Sequence, residues 1–328
     1  MSLRDRTWLA AVLCASTACS GPRTAAVGDG SETGRAELRM VVVTHGQSSD
    51  PFWSVVANGI KDAGADLGVR VEYQAPTSFD MVRMSQLIDA AVASQPSALI
   101  VSIPDPTALT EALTSAVAAG IPVFGINAGA EAWEPLGLLG YLGQTEYEAG
   151  LAAGRRLAAA GANRVLCVNH EVGNGSLDER CRGLRDAMEA AGGTSTVLAV
   201  DLADPDDAQQ RIAGALAADN QLSGLLALGP ASAAPALAAL RETGRTGNLQ
   251  FGTFDLTPDV LRAVATGAMT FAIDQQPYLQ GYLSVILATQ YLEHGLLPGG
   301  GELIRTGPRF VTAENARDVI RLAERGVR

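Results

Sequence analysis

The sequence predicts an α/β protein built from two doubly wound, largely parallel sheets with helices packed against them. Ten short apolar runs of about four to eight residues alternate with longer stretches in which apolar residues recur every three or four positions. Several runs are apolar without alternation, which is typical of strands buried on both faces of a parallel sheet. Because about five strands suit one open sheet, ten strand–helix units predict two sheets.

The predicted strands follow one another along the chain from residue 39. They are RMVVVT, VRVEY, ALIVS, IPVFGI and LGYLG in the first half and RVLCVN, STVLAV, GLLALG, LQFGTF and MTFAID in the second. Helical spacing of apolar residues marks intervening segments such as 79–94, 106–119 and 146–160. Each half opens with a strand, a polar loop and a helix, so we place the boundary between the halves near Gly143.

The N-terminal residues form a separate region. Arg4 and Arg6 precede an apolar stretch, after which small residues lead directly to Cys19. A basic start, a short apolar core and a small-residue cleavage site predict an export signal over residues 1–19. The last small residues resemble a bacterial lipobox, in which Cys19 would be lipidated; simple cleavage is the alternative. Residues 20–38 are rich in Gly, Ser, Thr and Ala and predict a flexible tether.

Composition and motif content exclude several classes of function. The formal net charge of −11 argues against nucleic-acid binding, which requires a basic face. The three histidines, at positions 45, 170 and 294, lack metal-ligand spacing, and we find neither a phosphate loop nor a nucleophile elbow. The sequence therefore predicts no metal site and no cofactor.

Two cysteines remain in the predicted folded part, Cys167 and Cys181. In an exported protein an isolated pair predicts a disulfide bond, because that compartment is oxidising. The alternative is two buried thiols.

The loops beyond the carboxyl ends of the strands hold the candidate site, since ligands of open parallel sheets bind there. Their polar side chains are carboxylates, amides, imidazoles and one arginine, which suit hydroxyl groups, and two aromatics could face the C–H surface of a sugar ring. The candidates are His45, Asp50, Phe52, Trp53, Asp105, Asn127, His170, Glu171, Asn174, Arg180, Asp255 and Gln275.

Simpler structural roles compete with some of these assignments. Phe52 and Trp53 could instead pack the first helix onto its sheet, and Asn174 could be a plain helix cap. Arg180 could form an ordinary surface ion pair. If Arg180 instead faces the cleft, we expect acids such as Asp255 or Asp50 to match its charge.

Several segments together carry a resemblance to a known family. They are DPFWSVVANGIKDAGADLG, ALIVSIPDPTAL, AAGIPVFGIN, FDLTPDVLRAVATG, AIDQQPYLQGY and GPRFVTAENA. In their order and spacing the chain resembles the type I periplasmic sugar-binding proteins of ABC importers, the ribose- and galactose-binding group. This resemblance implies two Rossmann-like lobes joined by a three-crossover hinge. We expect residues 39–142 plus about 276–304 in the N-terminal lobe, and 143–275 plus about 305–328 in the C-terminal lobe.

The resemblance also implies ligand contacts. Family contact positions fall on Asp50, Phe52, Trp53, Asn127, Arg180, Asp255 and Gln275. Two polar side chains of the ribose binders are missing, because the corresponding positions hold Ala128 and Gly229. Ribose is therefore not the expected ligand, and we expect His170, Glu171 and Asn174 to replace the missing side chains.

The resemblance implies an exported, monomeric receptor that captures a small sugar or polyol and delivers it to an ABC permease. The receptor would lie in the periplasm or be anchored to the cell membrane through lipid. The alternative is a sensor subunit that presents its ligand to a membrane receptor or kinase. A transcription regulator would need a helix-turn-helix where the signal and tether lie. We predict no enzyme, because Asp50, Glu171 and Asp255 are also the acids that a sugar's hydroxyls require.

Overall fold

Two six-stranded sheets form the framework in the computed structural model, which describes residues 34–46 and 50–328. The strands are β1 (Arg39–Val43), β2 (Arg70–Gln74), β3 (Ala98–Val101), β4 (Val123–Asn127), β5 (Tyr141–Gly143), β6 (Arg164–Asn169), β7 (Thr194–Ala199), β8 (Gly224–Ala227), β9 (Gln250–Phe254), β10 (Phe271–Asp274), β11 (Leu303–Arg305) and β12 (Arg309–Val311). The helices are α1 (Pro51–Leu67), α2 (Met81–Ala93), α3 (Pro106–Ala118), α4 (Glu146–Ala159), α5 (Gly175–Ala190), α6 (Pro205–Ala218), α7 (Pro230–Glu242), α8 (Pro258–Ala265), α9 (Pro277–His294) and α10 (Ala316–Glu324).

The strand orders are those of doubly wound sheets. The first sheet has the order β2-β1-β3-β4-β5-β11 and all its pairs are parallel. The second has the order β7-β6-β8-β9-β10-β12, in which only the β10–β12 pair is antiparallel. The fold class and the ten strands β1 to β10 are thus as the sequence predicts. The sequence reasoning missed β11 and β12, because strands of three residues with an arginine in each make no apolar run.

The chain crosses between the sheets at residues 143–146, 274–277 and 305–309. We call the first sheet with α1, α2, α3 and α9 the first lobe, and the second sheet with α4 to α8 and α10 the second lobe. Helix α9 returns to pack against α1 in the first lobe, and α10 packs against α8 in the second. The connections between the lobes are short, as a hinge requires.

Parts of the N-terminal predictions fall outside the described residues. The predicted signal over 1–19, with Cys19, and most of the predicted tether lie there. Of the tether, residues 34–38 are described and are structured rather than free. Arg35 binds Glu293 at 2.7 Å, and Leu38 is buried in the core of the first lobe. The ordered chain therefore begins before residue 39, where the sequence predicts that the folded part starts.

Helix caps fix where the strand–loop–helix turns end. Asp50 precedes α1 and accepts a hydrogen bond from the Phe52 N–H at 2.7 Å, and Pro51 occupies the first helical position. Asp50, Phe52 and Trp53 consequently lie beside the carboxyl end of β1, at the edge of the sheet where ligands bind.

Helix α5 is fixed on two sides. It touches α4 so closely that a Cβ atom at Gly150 would lie 2.1 Å from the carbonyl oxygen of Arg180. On its other side, the disulfide bond between Cys167 and Cys181 joins α5 to β6 with a Cα–Cα distance of 5.9 Å. This confirms the predicted pairing. The backbone around Arg180 is therefore held by both a glycine contact and a covalent link.

Within residues 34–46 and 50–328, none of the helices is both long and apolar enough to span a membrane.

Candidate ligand-binding site

A cavity between the two lobes brings together all but one of the predicted site residues. It encloses about 420 Å³ of space free of protein atoms, part of it open to solvent. The residues that line it are His45, Asp50, Phe52, Trp53, Asn127, His170, Glu171, Asn174, Ser176, Leu177, Arg180, Leu228, Gly229, Pro230, Asp255 and Gln275. The exception is Asp105, whose carboxylate accepts a hydrogen bond from the Ala108 N–H at 3.0 Å and caps α3 instead. The prediction that Asp105 belongs to the site is therefore not supported: the polar loop after β3 is a capping turn.

The aromatic pair lies both in the core of the first lobe and in the wall of the cavity. Phe52 and Trp53 meet edge to face with ring centroids 5.0 Å apart, and both belong to the core of the first lobe. Both also line the cavity. Trp53 lies over Gly46, where a Cβ atom would come within 1.7 Å of the indole. The indole ring can therefore occupy this position only because residue 46 has no side chain.

His45 reaches the cavity from the loop after β1. Its ring atom Nδ1 lies 2.8 Å from Ser102 Oγ, and the main-chain N–H of His45 donates to the same oxygen at 3.0 Å. Burial, assisted by the charge of Arg180, lowers the pKa of His45 to about 3. The imidazole is therefore neutral at ordinary pH. Its Nε2 atom lies 3.9 Å from a carboxylate oxygen of Glu171, across the space between the lobes.

A hydrogen-bonded chain connects the two lobes through the second crossing. Asn127 Nδ2 donates to Gln275 Oε1 at 3.2 Å, and Gln275 Nε2 donates to Asp255 Oδ1 at 2.7 Å. Asn127 is the last residue of β4 and Asp255 directly follows β9. The two strands hold equivalent places in their sheets, and the φ angles of Asn127 and Asp255 are 64° and 65°. Asn and Asp tolerate this left-handed region better than most residues. Burial raises the pKa of Asp255 to about 7, although Arg180 opposes the shift.

The loop after β6 supplies a second acid. Asn174 caps α5 by accepting from the Ser176 N–H at 3.0 Å, while its side-chain N–H donates to Glu171 Oε2 at 2.7 Å. Asn174 is thus both a helix cap and part of the cavity wall. Burial raises the pKa of Glu171 to about 7, and burial also raises the pKa of Asp50.

His170 stands where the family position at Gly229 would carry a side chain. A Cβ atom at Gly229 would lie 2.9 Å from His170 Cε1. Burial lowers the pKa of His170 to about 3, so it too is neutral. His170 thus occupies the space that a side chain at Gly229 would enter, and its role as a ligand contact stays a prediction.

Arg180 points into the cavity from α5, but its acid partner differs from the expected one. Its Nε–H donates to Glu146 Oε2 at 2.6 Å, Nη1 donates to the carbonyl oxygen of Leu228 at 3.0 Å, and the guanidinium lies 4.2 Å from the centroid of Phe254. The sequence predicts Asp255 or Asp50 as the acid that matches this charge. Glu146 was missed, because in the sequence it reads as an ordinary acid in the first turn of a surface helix.

The residues beside Arg180 turn away from the site. Arg182 Nε donates to Glu179 Oε1 at 3.0 Å on the outer surface of α5. Neighbours on a helix point about 100° apart, so the surface ion pair considered for Arg180 is formed by Arg182 instead.

The lobes are closed over this cavity. The N–H of Gly175, at the start of α5, donates to the carbonyl oxygen of Pro104 in the first lobe at 2.9 Å. In the described part of the chain, no group of three His, Cys, Asp or Glu side chains is placed to hold a metal ion. The cavity has carboxylates and amides from both lobes, one arginine from the second lobe and an aromatic wall from the first. These features define a two-lobed solute-binding protein that encloses a small polar molecule.

Comparison with known proteins places the chain in a family. Residues 40–296 match the family model described as a periplasmic binding protein domain, and the chain belongs to this family. The xylose/arabinose-binding protein XylF of Sulfolobus acidocaldarius is 28% identical over 291 residues, which cover 84% of this chain and 71% of XylF.

Solved structures agree with this assignment. The structure of a carbohydrate transporter from Acidothermus cellulolyticus in complex with myo-inositol is 37% identical, covers 89% of this chain and 99% of its own, and has a TM-score of 0.84. An ABC transporter solute-binding protein from Agrobacterium vitis, bound with α-D-tagatopyranose, is 25% identical, covers 89% and 99%, and has a TM-score of 0.77.

Proposed function

We propose that the protein captures a neutral sugar or cyclitol between its lobes and delivers it to an ABC importer. The observation that carries this proposal is the closed cavity, where acids from both lobes face Arg180 and an aromatic pair. Hydroxyl groups donate hydrogen bonds to carboxylates and accept them from a guanidinium, and such charge-assisted bonds are the stronger ones. An aromatic face covers the C–H surface of a ring.

The charges in the cavity favour a ligand without negative charge. Asp50, Glu171 and Asp255 line it, whereas the positive charge of Arg180 is already matched by Glu146. A sugar acid or a sugar phosphate would place another anion beside these carboxylates, and like charges at close range reject a ligand. We therefore expect sugar acids and sugar phosphates to bind more weakly than their neutral parents.

The relatives suggest which neutral ligands to test first. They are bound to, or named for binding, myo-inositol, tagatopyranose, and the pentoses xylose and arabinose. Because the chain with the myo-inositol complex is 37% identical and has the TM-score of 0.84, a cyclitol is our first candidate. Pentoses and hexoses complete the panel.

The family works outside the cytoplasmic membrane, and this chain is accordingly an exported protein. We further propose that it is a monomer held at the membrane through a lipid on Cys19. We also propose that its hinged units are 39–142 with about 276–304 and 143–275 with about 305–328. We propose no catalytic role for its acids. Recovery of unchanged sugar after prolonged incubation would support that view, and a new product would contradict it.

A thermal-shift screen tests the proposed ligand class. At a concentration 100-fold above Kd, a ligand that binds only the folded state adds about 2.7 kcal/mol of stability. Asp255→Asn should abolish most of this gain. The matched control is Asp259→Asn, because Asp259 lies on the surface at the start of α8 and pairs with Arg262. A panel in which no neutral polyol stabilises the wild type, or in which both variants lose the gain equally, would contradict the proposal.

A further inference from the structure

Glu146 is a buried acid at the first crossing between the lobes. It begins α4, whereas β5 of the first lobe ends at Gly143. Its exposed fraction is 2%. Acids are almost never buried to this degree without a partner, because losing water around a carboxylate is costly. The position therefore calls for an explanation in terms of what the carboxylate holds.

One oxygen of Glu146 joins the crossing to the binding site. Glu146 Oε2 accepts from Arg180 Nε at 2.6 Å and from Gln144 Nε2 at 2.9 Å. Gln144 belongs to the crossing itself and is fully buried. Arg180 lines the cavity, and Glu146 does not. Of the two side chains that bind Glu146 Oε2, Arg180 is the one that lines the cavity.

The contacts of Arg180 leave part of its guanidinium for a ligand. Of its five N–H groups, the Nε–H binds Glu146 and one on Nη1 binds the carbonyl oxygen of Leu228, and these are its hydrogen bonds to the described residues. The ring of Phe254 lies against the guanidinium. The guanidinium is thus fixed in orientation, and its remaining N–H groups can meet a molecule in the cavity.

Two other acids compete for the same charge. Burial lowers the pKa of Arg180, but Glu146, followed by Asp255 and Glu171, raises it above its ordinary value. Among the described ion pairs, Arg180 is joined to Glu146 and to neither of the other two acids. If Glu146 lost its charge, we expect Arg180 to turn toward Asp255 or Glu171, because a buried charge that has lost its partner is costly.

We propose that Glu146 is a positioning residue for ligand recognition. It holds the Arg180 guanidinium away from Asp255 and Glu171, so that these carboxylates accept from ligand hydroxyls while Arg180 donates to ligand oxygens. Since Gln144 binds the same oxygen, the first crossing fixes the position of this pair. The inference rests on the proposed function and assigns to Glu146 a role that the cavity lining alone does not reveal.

The pH dependence of binding separates this role from a merely structural one. The titratable groups that face the pair and its two neighbouring acids are Asp255, Glu171, Asp50, His45, His170, Glu131 and Tyr141. Of these, Glu171 and Asp255 have pKa values of about 7. An arginine that turned toward them would lower both values. The pH below which binding weakens would then be lower than in the wild type.

The experiment measures Kd by calorimetry from pH 5 to 9 with the neutral polyol that stabilises the wild type most. For Glu146→Gln we expect about 10- to 100-fold weaker binding at pH 8. We also expect the acid limb, the pH range below which binding weakens, to lie at lower pH than in the wild type. Glu146→Asp keeps the buried charge on a shorter side chain, so we expect its acid limb to move in the same direction by a smaller amount. The matched control is Glu148→Gln, because Glu148 lies exposed in the same helical turn and should behave as the wild type.

Each outcome has a distinct meaning. Weaker binding of Glu146→Gln with an unmoved acid limb would mean that Glu146 only supports the fold, and would overturn the proposal. Wild-type affinity in both Glu146 variants would overturn it as well, while leaving the proposed function intact. If Glu146→Gln does not fold, the acid limb of Glu146→Asp is the test: a move to lower pH supports the proposal, and an unmoved limb overturns it. Absence of binding by the wild type to every neutral polyol would overturn the proposed function together with this inference.

Discussion

Lowering the pH should weaken ligand binding through Glu171 and Asp255. Burial raises the pKa of each to about 7. Ligand hydroxyls donate more strongly to an ionised carboxylate than to a carboxylic acid, so ligand binding favours the ionised form. His45 and His170, with pKa values of about 3, stay neutral over this range and do not contribute.

The size of the effect follows from these pKa values. A carboxyl group with a pKa near 7 is about 90% protonated at pH 6, so each group that must ionise weakens binding by about 10-fold there and about 100-fold at pH 5. Each pH unit corresponds to about 1.4 kcal/mol per group. If both groups must ionise, the two factors multiply. Above pH 8 the affinity should be constant.

Calorimetry in two buffers of different ionisation enthalpy measures the coupled protons directly. At pH 6 we expect the wild type to release about one to two protons on binding, since two groups are mostly protonated beforehand. Glu171→Gln and Asp255→Asn should each remove one group from this release and flatten the pH profile. A profile that stays flat from pH 8 to 5, or uptake of protons at pH 6, would refute the reasoning.

The ligand-free protein should show the opposite trend in stability. The pKa values of these two groups are higher in the folded state than in the unfolded chain. Their contribution to the free energy of unfolding is therefore complete below the unfolded pKa of about 4 and is lost as the pH rises through about 7. Urea denaturation without ligand at pH 5 and pH 8 measures this difference, and it should be smaller in Asp255→Asn.

Three further predictions concern single contacts. Arg180→Ala should weaken binding by about 2–4 kcal/mol and lower stability by leaving a buried acid unmatched, whereas Arg182→Ala should change neither; equal small effects in calorimetry would place the site elsewhere. Trp53→Ala should cost about 1–3 kcal/mol of binding and about 3 kcal/mol of stability, because the ring both lines the cavity and packs in the core; denaturation that shows unchanged stability would contradict the second role. Replacing Cys167 and Cys181 by Ala should lower the free energy of unfolding by about 3 kcal/mol, and a wild type whose denaturation midpoint is unaffected by reductant would contradict this.

Most of the fold could be predicted because most of its strands coincide with apolar runs in the sequence. The ten strands β1 to β10 are each marked by such a run, and together with helical spacing between them they determine two doubly wound sheets. The strands β11 and β12 could not be found this way. Each is three residues long and joins a sheet whose edge already exists, so pairing rather than local sequence makes it a strand.

The site shows the same division between local and distant information. Asp255 directly follows a predicted strand and Asp50 ends the loop after one, so their position at the carboxyl edge can be inferred from the chain alone. Glu146 could not be inferred, because its importance depends on Arg180, which lies 34 residues away in sequence. Asp105 also follows a strand, but its carboxylate caps α3 and it is not among the residues that line the cavity.

The hydrogen bond from Gly175 to Pro104 contributes to closure of the lobes without distinguishing one ligand from another. Both of its atoms belong to the main chain, so it forms in the same way around any molecule that lets the lobes meet. A contribution common to all ligands cancels from the ratio of two affinities. We therefore expect it to stabilise the closed form by the same amount around every enclosed ligand. Cavity side chains can consequently change from one relative to another without altering what this contact contributes to closure.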